Sequence, residues 1–111
     1  MDMTDRYDVT LEQLRQRREE ILRVANRYGA SNLRIFGSVA GGSAGPSSDV
    51  DVLVDLTTTA DGFAYFGVLE ELRQALERVL ACRVDVVELR GPFSARGQEM
   101  AERIRRTAVP L

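Results

Sequence analysis

The sequence predicts a small α/β domain in which a mixed sheet of three or four strands is flanked by helices. Three observations carry that prediction. Stretches with apolar residues every three to four positions alternate along the chain with short β-branched runs. The first two of those runs are joined by a short Gly/Ser-rich link, which suits an antiparallel pair better than a parallel crossover. At 111 residues the chain has room for one domain, spanning 1–111, and none for a second.

The elements follow in order. Residues 1–9 are polar and acidic and read as a loose arm. Thr10 and Gln13 have the spacing of a capping box, so a helix starts at residue 11. Leu11, Leu14, Ile21, Leu22, Ala25 and Tyr28 carry its apolar spacing, and Gly29 suits its C-terminal cap, giving one helix over residues 11–28. A strand over 32–36 then runs straight into the loop from Gly37. Residues 49–56 alternate, with Val50, Val52 and Val54 on one face and Asp49, Asp51 and Asp55 on the other. From Asp61 to about Ala81, Phe63, Phe66, Leu69, Leu72, Leu76, Val79 and Leu80 recur at helical period. At that spacing Phe63, Tyr65 and Phe66 read as core, a partner surface being the less common reading. A third strand over 83–89 follows, Gly91 and Pro92 break the chain, and a polar helix over 94–107 closes it.

Composition narrows the chemistry. A formal net charge of −2 offers no global positive excess for a phosphate backbone, and there is no Lys and no His. Lysine Schiff bases, Walker-type phosphate loops and Ser-His-Asp triads are therefore excluded. Carboxylates, hydroxyls, arginines or a metal must do any catalysis. The single cysteine, Cys82, reads as a small buried apolar residue. No charged leader with an apolar core opens the chain and no run approaches a membrane span, so a cytoplasmic location is expected. The arginines of the first helix and Arg103, Arg105 and Arg106 read as solvated faces, with an acidic partner or RNA as the lesser reading.

The chemistry concentrates in FGSVAGGSAGPSSDVDVLVDL, residues 36–56. Residues two apart on a strand project from one face about 6 to 7 Å apart, so the Asp49 and Asp51 carboxylates can converge on ions. Asp55, roughly 20 Å along, is too far and reads as the end of the strand. One or two carboxylates plus substrate phosphates suit Mg²⁺, and phosphoryl-transfer sites often use two such ions. A third carboxylate could come from RVDVVEL, as Asp85 or Glu88; Asp85 is preferred because it points away from its flanking valines, as the first pair does. Gly37 lets the backbone approach phosphate oxygens, and Ser38 adds a hydroxyl donor.

Taken together, "FGS", ten residues and "DVD", followed by "RVDVV", resemble the minimal nucleotidyltransferases of the DNA polymerase beta-like superfamily, over roughly residues 11–107. The resemblance implies a single nucleotidyltransferase domain in which Gly37 and Ser38 hold the phosphates of a nucleoside triphosphate. Asp49 and Asp51 would bind two Mg²⁺ ions. Asp85 would position and activate the acceptor hydroxyl at one of them. An in-line attack on the α-phosphate would then transfer a nucleotidyl group and release pyrophosphate. Many relatives carry arginines within the loop, where this chain has Val39, Gly41 and Gly45. Magnesium, backbone amides and a distant Arg34 or Arg90 would have to offset the triphosphate charge.

Single-domain members of that family resemble antitoxins paired with helical HEPN toxins. The resemblance therefore implies transfer of AMP from ATP to a toxin tyrosine, with ATP and a HEPN-type protein as partners. An antitoxin that keeps the fold but neutralises by binding alone is the second reading. An enzyme with a small-molecule acceptor is the third, for which no substrate domain is visible.

Overall fold

The computed structural model describes residues 9–42, 49–60, 62–89 and 94–111. The N-terminal arm, the Gly/Ser stretch 43–48, Asp61 and the break at Gly91 and Pro92 lie outside them. Thr10 makes the expected capping box: its hydroxyl accepts the Gln13 N–H at 3.1 Å, and the Gln13 side chain accepts the Thr10 N–H at 3.0 Å. The helix it starts does not run unbroken. It divides into α1 (Leu11–Gln16) and α2 (Arg18–Arg27) at Arg17, whose φ of −106° and ψ of 19° leave the helical region. The cause is visible in the sequence, because residues 15–20 are all polar and give this turn no apolar stripe to hold against the core. Gly29, at φ +74°, turns the chain out of α2.

Strand β1 (Ala30–Phe36) follows, two residues longer at its start than its alternation predicts. Its pairing slips between Ser31 and Arg34, where Asn32 adopts a φ of 53°. Beyond Phe36 the chain forms a short helix, α3 (Gly37–Gly41), where the sequence suggests only a loop; Gly42, at φ 76°, caps it. Strand β2 (Val50–Leu56), helix α4 (Gly62–Leu80), strand β3 (Val84–Val87), helix α5 (Ala95–Thr107) and the two-residue strand β4 (Val109–Pro110) complete the chain. Ser94 caps α5, accepting the Gly97 N–H at 3.1 Å.

The sheet is mixed, in the order β3-β2-β1-β4. β1 runs antiparallel to β2 and β4, while β2 and β3 are parallel. The long connection through α4 permits the parallel pair, which the short link before β2 could not. Helix α2 packs on β1, α4 packs on β3, and the two helices pack on each other. Val50, Val52 and Val54 are buried as their period predicts, among Leu14, Ile21, Ala25, Ile35, Leu72 and Leu76. Each large aliphatic side chain removed from water there contributes about 1.5 to 3 kcal/mol. Leu111 is buried as well, its N–H donating to the Leu33 carbonyl at 3.1 Å.

One expectation fails clearly. Phe63 is 97% exposed and Phe66 66% exposed, so neither is core, and Tyr65 is half-buried. Helical period identifies a common face of α4, but the sheet covers that face only from about Leu72 onward. Cys82 is half-buried against the core, and burial pushes its thiol pKa up. Among the described residues no helix is long and apolar enough to cross a membrane.

Candidate active site

The site lies where β1 ends and β2 begins. Register brings Asp51 into line with Phe36 of β1 on one side and Asp85 of β3 on the other. Neighbouring strands are about 4.7 to 4.9 Å apart, so Asp51 stands between Asp85 and the Gly37 turn that follows Phe36. Asp49 precedes it by two residues, on the same side of the strand. The three carboxylates expected to act together are thus brought to one end of the sheet, where β2 and β3 begin. Asp85 is exposed, Asp51 is half-buried, and the Asp49 side chain keeps 35% of its surface.

Gly37 has φ +74°, and a Cβ built there would overlap the Asp51 carboxylate at Oδ2 and lie 3.1 Å from its Cγ. The absent side chain is what lets the carboxylate lie against the backbone turn. Ser38 is the second residue of α3, and the N-cap residue, Phe36, has no side-chain hydrogen bond to the turn. Val39 is buried at 3%, which anchors this helix to the core.

Electrostatics describe the same cluster. Burial first, then the charges of Asp85 and Asp49, hold the Asp51 pKa above its ordinary value of 3.8. The three groups share one field without closing into a cage: among the described residues no three acidic or thiol side chains lie within metal-ligand range of a common point. A set of hard carboxylate oxygens, one of them electrostatically uncomfortable, fits a divalent ion such as Mg²⁺.

Other sequence candidates are placed elsewhere. Glu88, the alternative third carboxylate, accepts the Leu56 N–H at 2.9 Å and the Tyr65 hydroxyl at 2.6 Å. It ties the far ends of β2 and β3 to the start of α4, away from Asp49. Asp55 pairs with Arg34 at 3.1 Å and accepts from Asn32 at 2.9 Å. Arg34 is therefore engaged at the wrong end of the sheet, and Arg90 lies outside the described residues. Among the described residues, the cation paired with a site carboxylate is Arg83, which the sequence reading did not single out: its Nε lies 3.6 Å from Asp49 Oδ1. A signal existed, because in RVDVV an arginine two residues before Asp85 falls on the same side of the strand.

A small mixed sheet whose central strand opens with paired carboxylates beside a glycine turn has the form of a phosphoryl-transfer domain. Comparison with known proteins gives that class its family. The profile of the nucleotidyltransferase domain family matches residues 11–108, and the chain belongs to that family. A Methanocaldococcus jannaschii protein named as a protein adenylyltransferase is 33% identical over 74 residues, covering 67% of this chain and 78% of that one. The protein adenylyltransferase MntA of Thermococcus cleftensis is 38% identical over 61 residues, 55% of this chain and 58% of its own length. A solved structure described as a minimal nucleotidyltransferase superposes with a TM-score of 0.72 at 40% identity, covering 93% of this chain and 97% of that one. A toxin-antitoxin complex with AMP-PNP shares the fold at a TM-score of 0.65 and 22% identity, covering 83% of this chain and 69% of the other.

Proposed function

We propose that this chain is a Mg²⁺-dependent protein adenylyltransferase that moves AMP from ATP to a hydroxyl of a partner protein, a tyrosine of a HEPN toxin, and so acts as its antitoxin. The observation that carries the reading is the alignment of Asp51 with Asp85 across the parallel ladder, with Asp49 beside them and Gly37 making room. The adenylyltransferase names of the relatives and the AMP-PNP bound in a toxin-antitoxin complex of the same fold support it.

In this reading Gly37 and Ser38 receive the triphosphate, through a backbone that can approach it closely and a hydroxyl that can donate to it. Asp49, Asp51 and Asp85 would hold two Mg²⁺ ions, whose charge would stabilise the transferring phosphoryl group. Asp85 would help position the acceptor hydroxyl and accept its proton as it attacks. The oxygen forms a bond to the α-phosphorus, the bond to the bridging oxygen breaks, and pyrophosphate leaves with its electron pair.

One observation favours a second reading, an antitoxin that is catalytically weak or inactive and neutralises by binding alone: no basic residue stands between Gly37 and Asp49. Incubation with α-labelled ATP, Mg²⁺ and a HEPN protein, with the product of the neighbouring gene as the first candidate, separates the two. Label on the partner that vanishes in Asp49→Ala and Asp51→Ala supports transfer. Neutralisation that survives both substitutions supports binding alone.

A further inference from the structure

A triphosphate brings several negative charges to a site already holding three carboxylates, and the loop from Gly37 to Asp49 contributes no cation. The charge has to come from elsewhere in the fold. Arg34 is bound to Asp55 at 3.1 Å, Arg17 to Glu20 at 2.8 Å, and Arg73 to Glu77 at 2.7 Å. Arg83 is placed differently.

Its carbonyl accepts the Val50 N–H at 2.9 Å, which extends the β2-β3 pairing by one step beyond Val50 and Val84. That hydrogen bond fixes the Arg83 backbone beside Asp49. Arg83 is also two residues from Asp85, so both share one side of the chain where it enters β3. Gly37 and Arg83 consequently flank the start of β2 from opposite sides, about 10 Å apart at two strand spacings. A phosphate chain lying over Asp49 and Asp51 meets both.

The side chain itself is loosely held. It is 83% exposed, and its 3.6 Å approach to Asp49 is longer than the roughly 2.7 to 2.9 Å of a charge-assisted hydrogen bond. An exposed pair of that kind contributes little, so the guanidinium can leave Asp49 at small cost. Its planar fork matches two phosphate oxygens, which a carboxylate at this distance does not exploit.

We propose that Arg83 is the phosphate-binding arginine of this site: it rests on Asp49 in the free protein and moves to the nucleoside triphosphate when nucleotide binds, replacing the charge absent from the loop. This rests on the nucleotidyl-transfer reading. Asp49, no longer paired with Arg83, would then be available to hold a metal ion.

The test measures binding separately from turnover. ATP binding with Mg²⁺, by calorimetry, is compared in the wild type, Arg83→Ala, Arg83→Lys and Asp49→Asn, alongside titration with Mn²⁺ alone. Loss of a charge-assisted contact weakens ATP binding in Arg83→Ala by about 10- to 100-fold. Arg83→Lys recovers part of it. Mn²⁺ alone binds Arg83→Ala as well as the wild type or better, because Asp49 has lost a competing cation. Where label transfer is measured, the KM for ATP rises by more than kcat falls.

Unchanged ATP affinity in Arg83→Ala, with binding lost in Asp49→Asn, overturns this inference and leaves nucleotidyl transfer standing. Equal weakening of ATP and Mn²⁺ without rescue by lysine overturns it in favour of a structural role. A wild-type protein that binds no ATP overturns the transfer reading and this inference together.

Discussion

Gly37→Ala is the substitution that most directly tests how the site is built. Gly29 and Gly37 share a φ of +74°, in the left-handed region. Placing alanine in the left-handed region costs roughly 1 to 2 kcal/mol, against which the stiffer unfolded chain returns a few tenths. Both variants should therefore lose about 1 kcal/mol, a shift of about 4 °C in Tm for a domain of this size. Their surroundings then separate them. At Gly29 the new methyl group meets Thr57 Oγ1 at 2.7 Å, a side chain on the surface away from the aspartates. At Gly37 it lands on the Asp51 carboxylate, which must swing away. Displacing a reacting or ligand group by about 1 Å costs on the order of 100-fold in rate. Differential scanning calorimetry and label transfer from ATP, run on both variants, give the comparison. Equal stability losses with transfer lost only in Gly37→Ala are expected. Gly37→Ala that transfers AMP as well as Gly29→Ala refutes the argument that this glycine is required for the close approach of Asp51.

Further outcomes can be checked with the same protein. Asp51→Asn should raise Tm at pH 7 without divalent ions, since the folded state holds this carboxylate above its ordinary pKa and its ionisation costs stability. The advantage over wild type shrinks as pH falls through the raised folded-state pKa and is gone below about 4, where Asp51 is protonated in both folded and unfolded chains; an advantage that persists in acid contradicts the assignment to ionisation. Leu72→Ala, at a fully buried position on α4, should lose about 2 to 5 kcal/mol in urea denaturation. Phe63→Ala should change stability by less than about 0.5 kcal/mol, because the ring is already 97% exposed. Thr10→Ala removes the hydroxyl half of the capping box and should cost about 1 kcal/mol, read from the urea midpoint.

The valines of β2, the capping box at Thr10, the turn at Gly29 and the glycine-serine-aspartate spacing were all legible in the sequence. Each is a local rule: a period of two or a short fixed offset already decides what the backbone does. The nucleotidyltransferase resemblance rested on such spacings. The break at Arg17 was less legible, since the helical period continues through it and only the lack of apolar residues from 15 to 20 hints at a loosened turn.

Tertiary structure alone decided the rest. Whether Asp85 or Glu88 joins Asp51 depends on the parallel register of β2 and β3, and a shift of one residue would have brought the other face forward. Phe63 and Phe66 share the period of Leu72 and Leu76, yet period names a face of a helix and not where the sheet beneath it stops. Strand β4 is two residues long, and its place beside β1 comes from pairing with a partner more than seventy residues away in the chain. The approach of Arg83 to Asp49 arises in the same way. By itself the sequence determined which side chains face together along one element. The fold determined which elements lie side by side, because that depends on long-range pairing that no local spacing encodes.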